Sequence, residues 1–155
     1  MLFKKLSLRD VAATIVGICG GIGVISFISY VLGYPLLIAS FGASAVLLYA
    51  ATDSPLAQPK NLFGGHLIAA FCGATFYLLF GETWYSITLA VVCAILLMMW
   101  TGTLHPPGGA TAIVTVLSHG NYTFIFFPVL TGAVILFISA LLSNKISDTR
   151  QYPKK

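Results

Sequence analysis

The chain has 155 residues, of which 58% are hydrophobic and 8% are charged, and its mean hydropathy is +0.96. These values exclude a soluble domain with a polar surface and are typical of a polytopic membrane protein. The formal net charge of +4 does not indicate nucleic-acid binding, because seven of the eight Lys and Arg residues lie near the two ends of the chain. That distribution follows the positive-inside rule and predicts that both termini face the cytoplasm.

The first apolar run, residues 11–33, predicts a membrane span. It is too long for the apolar region of a signal peptide and no small-residue cleavage site follows it, so we expect the span to be retained. Small residues recur in it every four positions, at Ala13, Gly17 and Gly21. This spacing predicts a face on which another helix packs closely.

A short apolar helix is predicted next, at residues 42–52, after an extended lead. At 1.5 Å per residue it covers roughly half a membrane. The polar link at residues 53–61 follows and carries Lys60, the only internal Lys or Arg.

Three further spans are predicted, at residues 62–80, 84–104 and 122–143. The first of them repeats the four-residue spacing of small residues, with Gly65, Ala69 and Gly73. We interpret His66, near its start, as a hydrogen-bonded packing residue rather than a ligand.

The stretch at residues 104–112, Leu-His-Pro-Pro-Gly-Gly-Ala-Thr-Ala, interrupts a region without charged residues. Proline removes amide donors and glycine leaves the helical conformation easily, so this stretch predicts a broken helix at membrane depth. Backbone of that kind persists only where protein or a water-filled cavity covers it. A short helix is predicted after the break, at residues 109–118.

An offset of 67 residues aligns Gly-Ala-Ser-Ala at residues 42–45 with Gly-Ala-Thr-Ala at residues 109–112. We interpret the chain as one membrane domain, residues 1–155, with an internal repeat at about residues 11–80 and 84–143. If both short helices complete a crossing, each repeat has three crossings, the repeats are inverted, and Lys60 faces the cytoplasm with Glu82 opposite. If they are re-entrant, the chain has four spans and Lys60 faces outward.

In the inverted arrangement, two helix N-termini converge near the midplane and form a site for a small anion from their free amides and positive dipole ends. The predicted binding residues of the first helix are Ser40, Gly42, Ala43 and Ser44, and those of the second are His105, Gly108, Gly109, Ala110 and Thr111. Serine and threonine add hydroxyl donors, and histidine can donate a hydrogen bond or carry a proton. No cofactor or metal ion is expected, because the histidines and cysteines share no ligand spacing.

Residues 105–112, His-Pro-Pro-Gly-Gly-Ala-Thr-Ala, resemble the signature of the HPP family of integral membrane proteins. Residues 41–48 and 54–61 are similar to its other characteristic stretches. The resemblance implies a small transporter, and nitrite is the substrate of members in cyanobacteria and plastids. It also implies four membrane spans, which favours the re-entrant arrangement. We therefore expect an all-α membrane bundle that carries nitrite or a similar inorganic anion. A homo-oligomer in a bacterial inner membrane is also expected.

Two alternatives remain open. Gly42, Ser44 and Ala45 resemble the Gly-x-Ser-Gly motif of rhomboid intramembrane proteases, with His105 as the base of a Ser-His dyad. A separation of Ser44 and His105 well beyond hydrogen-bonding distance would exclude this enzyme. The second alternative is a membrane scaffold that transports nothing.

Overall fold

The computed structural model describes residues 7–154, and within that range the protein is all-α, with no strand. Lys4, Lys5 and Lys155, which also entered the positive-inside argument, lie outside the described residues. The elements in chain order are α1 (Leu8–Ile18), a π-helical turn (Cys19–Gly23), α2 (Val24–Tyr30), α3 (Ser40–Tyr49), a 3-10 turn (Pro55–Ala57), α4 (Pro59–Phe80), α5 (Trp84–Thr101), α6 (Pro106–Leu117), a π-helical segment (Ile125–Leu130), α7 (Thr131–Ser143) and a closing 3-10 turn (Asn144–Ile146).

Four continuous helices within the described range are long and apolar enough to span a membrane: Leu8–Tyr30, Pro59–Phe80, Trp84–Thr101 and Ile125–Ile146. The prediction of an integral membrane bundle is confirmed. Between these helices lie α3 and α6, which are apolar but too short to cross a bilayer by themselves.

The helix break in the second half lies before the prolines rather than at them. α6 begins at Pro106, with Pro107 next, and the irregular residues precede His105. Proline suits the first turn of a helix because its φ is already helical and its missing N–H has no partner there. The predicted start at residue 109 is therefore wrong. α5 ends at Thr101 instead of continuing to residue 104.

The extended lead before α3 is held against the preceding helix. Ser29 Oγ accepts the amides of Leu36 at 3.1 Å and Leu37 at 2.8 Å. Extended backbone in an apolar region needs such partners, because lipid offers none. α3 then runs from Ser40 to Tyr49, two to three residues earlier than predicted.

One end of the bundle gathers the start of α1, the end of α3 and the C-terminal tail. Arg150 in the tail donates to the Tyr49 carbonyl at 2.7 Å and to Thr14 Oγ1 at 2.9 Å. A short link, residues 50–58, joins α3 to α4, so Lys60 in the first turn of α4 lies at this end. We call it the Lys60 end.

The opposite end holds the turn between α4 and α5 together with the end of α6. His119 Nε2 lies 2.6 Å from Glu82 Oε2 there. The chain therefore runs between the two ends six times, four times as a long helix and twice as an irregular lead followed by α3 or α6. Lys60 lies at the same end as the start of α1 and Glu82 at the other, as in the inverted arrangement, while the number of membrane crossings stays a prediction.

Small residues let the first helix pack closely, as their spacing predicted. A Cβ on Gly17 would lie 2.6 Å from the Tyr49 ring, and one on Gly21 would overlap the Tyr49 hydroxyl. Ala13 is also buried. The order of long, short and long helix occurs twice along the chain. That order agrees with a duplication, although the internal repeat itself stays a prediction.

Candidate functional site

The two short helices meet at their N-terminal turns, where polar side chains are buried together. Ser40 and Ser44 lie four residues apart on α3 and therefore share one face of it. Thr111, in the second turn of α6, donates its hydroxyl to Ser40 Oγ at 2.8 Å. His66 of α4 and His105, immediately before α6, complete the group, which we call the histidine–hydroxyl cluster. Each of the five residues exposes at most 1% of its surface.

Ser44 lies between the two imidazoles. Its Oγ is 2.8 Å from His66 Nε2 and 2.9 Å from His105 Nε2. The remaining ring nitrogens are engaged as well, since His66 Nδ1 is 2.7 Å from Thr111 Oγ1 and His105 Nδ1 is 2.8 Å from the Leu56 carbonyl oxygen. All four ring nitrogens thus have a neighbour at hydrogen-bonding distance, as buried polar atoms require.

Two glycines bring the histidines together. A Cβ on Gly108 would lie 2.9 Å from the Gly65 carbonyl oxygen, and a Cβ on Gly65 would overlap His105 Cβ. α4 and α6 can approach this closely only because neither position carries a side chain. Their contact sets His66 beside His105, with ring centroids 5.0 Å apart.

The surroundings of the cluster carry no fixed charge. No Asp, Glu, Lys or Arg occurs in residues 11–52, 61–81 or 83–144, which include all of the cluster. Histidine is therefore the side chain there that can become positively charged near neutral pH.

The start of α6 does not offer the free backbone amides expected for an anion site. Pro106 and Pro107 have no N–H, and the Gly108 amide already donates to the His105 carbonyl at 2.8 Å. On α3, the amides of Phe41 and Gly42 donate to carbonyls three residues earlier, both at 3.1 Å. The side-chain donors that the cluster offers to an anion are hydroxyls and imidazoles, supported by the dipoles of two short helices.

The predicted site residues divide into two groups. Ser40, Ser44, His105 and Thr111 belong to the cluster, and Gly108 supports it through the contact with α4. Gly42 and Ala43 lie instead on the exposed face of α3, while Gly109 and Ala110 are only partly buried on α6. A Cβ on Gly42 or Gly109 would have no atom within 4 Å.

His66 is the one cluster residue that is not among the predicted binding residues. The sequence predicts a hydrogen-bonded packing residue, and the structure places its ring between Ser44 and Thr111 at the centre of the cluster. One signal was available, because His66 directly follows Gly65 in the predicted packing face of its span. An imidazole beside a close helix contact points toward a neighbouring helix rather than lipid.

The distance between Ser44 and His105 tests the alternative of a Ser-His catalytic dyad. Ser44 and His105 are within hydrogen-bonding distance, and the Leu56 carbonyl orients the imidazole as a third group orients a catalytic base. The distance that would have excluded the enzyme is therefore not observed. Ser44 is fully buried, however, and a second imidazole occupies the other side of its hydroxyl. This makes the serine a bridge between two bases.

Comparison with known proteins identifies one matching family and two similar transmembrane proteins. The family described as "HPP, transmembrane region" matches residues 3–153. Two transmembrane proteins of Dictyostelium discoideum are 42% identical over 127 residues and 41% identical over 126 residues. The matches cover 76% of this chain in both cases, but only 44% and 40% of the relatives. The chain thus spans less than half the length of these curated relatives. No solved structure matches it.

Proposed function

The chain belongs to the HPP family of transmembrane proteins, and we propose that it transports a small inorganic anion, nitrite above all, through the histidine–hydroxyl cluster. The observation that carries the proposal is the complete burial of five polar side chains where two short helices meet inside an apolar bundle. Burying polar groups costs free energy, so such a group in a membrane protein marks a functional site by default.

The chemistry of the cluster suits a small oxyanion. Hydroxyls of Ser40, Ser44 and Thr111 can turn to donate to an oxygen atom, and each imidazole can donate through a ring N–H. No lysine or arginine is present to hold the anion tightly. Weak binding favours transport, because a carried ion must also leave.

Two cavities lie toward opposite ends of the bundle, and neither is lined by a residue of the cluster. At the Lys60 end, residues 50–55 line a cavity of about 430 Å³ directly before Leu56. Toward the Glu82 end, a cavity of about 310 Å³ lies between the lead to α3 at Ile38 and the π-helical segment at Phe127. We propose that they are the two entrances to the site, and that the Lys60 end faces the cytoplasm as the positive-inside rule indicates.

The hydrolase alternative has less support. A nucleophilic serine needs one base and a free lone pair for attack, whereas Ser44 Oγ faces a ring nitrogen on each side. Neither the matched family nor the two relatives are described as proteases.

Uptake of sodium nitrite into proteoliposomes containing the full chain tests the proposal. Thr111→Val removes the hydroxyl that reaches Ser40 and His66, and we expect uptake to fall about 2- to 10-fold, the equivalent of roughly 0.5 to 1.5 kcal/mol for one hydrogen bond. Thr115→Val is the matched control. Thr115 is buried one turn later on α6, and its hydroxyl donates only to the Thr111 carbonyl.

Uptake by the control should equal that of the unmodified chain. If the unmodified protein admits nitrite no faster than empty liposomes, the transport proposal is wrong and the scaffold alternative replaces it. If Thr111→Val and Thr115→Val lose equal amounts of nitrite uptake, the Thr111 hydroxyl contributes no more to transport than a buried hydroxyl outside the cluster.

A further inference from the structure

The tautomers of the two histidines follow from their partners. A carbonyl oxygen can only accept, so His105 Nδ1 must carry the hydrogen that it donates to Leu56. The single hydroxyl hydrogen of Thr111 is shared between Ser40 Oγ at 2.8 Å and the Pro107 carbonyl oxygen at 3.3 Å. Thr111 Oγ1 therefore accepts from His66, whose Nδ1 must also carry a hydrogen. Both imidazoles therefore present Nε2 to Ser44.

This arrangement leaves the neutral cluster one proton short. Ser44 has one hydroxyl hydrogen, yet two Nε2 atoms lie within 2.9 Å of its oxygen. When both histidines are neutral, Ser44 can donate to only one of them, and the other lone pair faces the serine oxygen. Adding one proton to that Nε2 completes the set, because it then donates to Ser44 while Ser44 donates to the other ring.

We propose that His66 and His105, bridged by Ser44, form a binding site for one proton that enters together with the transported anion, so that transport is proton-coupled. This inference rests on the proposed anion transport. It assigns a role to His66 that neither the motif nor the family match supplies.

No other ionisable group is placed to take over this role. The elements packed on α3 and α4 carry Arg9 and Asp10 on α1, Cys19 in the π-helical turn, and Tyr85 and Cys93 on α5. α3 itself carries Tyr49, and α4 carries Lys60, Cys72 and Tyr77. In the described part of the chain none of these side chains hydrogen-bonds to either imidazole. The histidines affect each other and have no carboxylate partner.

Charge balance couples the proton to the anion. A protonated pair places a positive charge in an apolar bundle beside the positive dipole ends of α3 and α6, which is unfavourable by itself. An anion in the same site cancels that charge, and without the proton the anion would have no cation to bind. Each ligand therefore raises the affinity for the other, by the same factor in both directions.

Ser44 also gives the proton a path between the rings. When protonated His66 transfers its proton, the Nε2–H bond breaks as a new O–H bond forms on Ser44. The original Ser44 O–H bond breaks as an N–H bond forms on His105 Nε2. One proton leaves one ring and one reaches the other, with no change of oxidation state. Beyond the bridged pair, His66 Nδ1 lies against Thr111 Oγ1 and His105 Nδ1 lies against the Leu56 carbonyl oxygen.

Proton uptake on nitrite binding tests the inference directly. Sodium nitrite is added to the purified full chain in weakly buffered detergent solution containing a pH indicator, and bound nitrite is measured in parallel. We expect one proton to be taken up per nitrite bound. His66→Gln and His105→Gln should abolish this uptake, while His119→Gln, an exposed histidine at the Glu82 end, should leave it unchanged.

The outcomes separate the two proposals. Absence of nitrite binding and of nitrite transport by the unmodified chain would overturn the proposed function, and the proton coupling with it. Nitrite transport without proton uptake would overturn the coupling alone. A measurement that needs no variant is ¹⁵N NMR of the histidine rings, where His66 and His105 should both show the Nδ1–H tautomer. Nε2–H signals from both neutral rings would contradict the proton site.

Discussion

Gly65→Ala perturbs the one contact that sets the two histidines side by side. The added Cβ would overlap His105 Cβ and would lie 3.3 Å from Met98 Sδ. Methionine is flexible and can move, but His105 Cβ is fixed to the backbone just before α6. We therefore expect α6 to move away from α4, which lengthens the 2.9 Å contact between His105 and Ser44.

The expected cost is that of overpacking a helix interface, about 1–3 kcal/mol. Gly109→Ala is a matched control, because it introduces the same methyl group into α6 where no atom lies within 4 Å. Both substitutions gain a similar helix propensity, up to about 1 kcal/mol. The difference in stability between the two variants thus isolates the close contact and should be about 1–3 kcal/mol.

Unfolding in mixed micelles, followed by circular dichroism during titration with a denaturing detergent, measures this difference. The same preparations are then tested for nitrite uptake, which should fall in the Gly65 variant because the hydrogen bonds of the cluster are displaced. If Gly65→Ala is as stable as Gly109→Ala, the helices do not approach as described and the derived histidine geometry is incorrect.

Two further predictions concern the ends of the bundle. Single cysteines replacing Lys60 and Glu82 in a cysteine-free background should react with an impermeant reagent from opposite sides of the membrane, with position 82 labelled in intact cells. Labelling of both from outside would contradict the six-pass arrangement. Arg150→Ala should destabilise the fold by about 3 kcal/mol, because the guanidinium is nearly buried beside Asp10 and donates to the end of α3. Lys154→Ala removes an exposed ion pair and should change the free energy of unfolding by less than about 1 kcal/mol. Equal destabilisation by Arg150→Ala and Lys154→Ala would contradict the stabilising role of the buried Arg150 contacts.

Four of the five cluster residues, Ser40, Ser44, His105 and Thr111, could be predicted from the sequence. Ser44 and Thr111 occupy matching positions in two related stretches, and His105 precedes a break in an uncharged region. Those signals are local. The free amides expected at the second short helix are missing for an equally local reason, since proline at the start of α6 removes the donors that the helix end would otherwise offer.

The sequence by itself determined that this is an integral membrane bundle and where its long helices lie. Span length depends only on bilayer thickness and the rise per residue, and the absence of charge over long runs is readable without any contact. Small residues at four-residue intervals likewise indicated the packing faces, because helix periodicity is a local property.

Only the tertiary structure decided that His66 and His105 share one serine. Ser44 lies 22 residues from the first and 61 from the second, so their meeting depends on how α3, α4 and α6 pack. The local sequence around a lone histidine in an apolar helix is the same whether its ring packs against an apolar side chain or against a second imidazole. Its partners are fixed by the close approach of Gly65 and Gly108, and that contact is a property of two helices together.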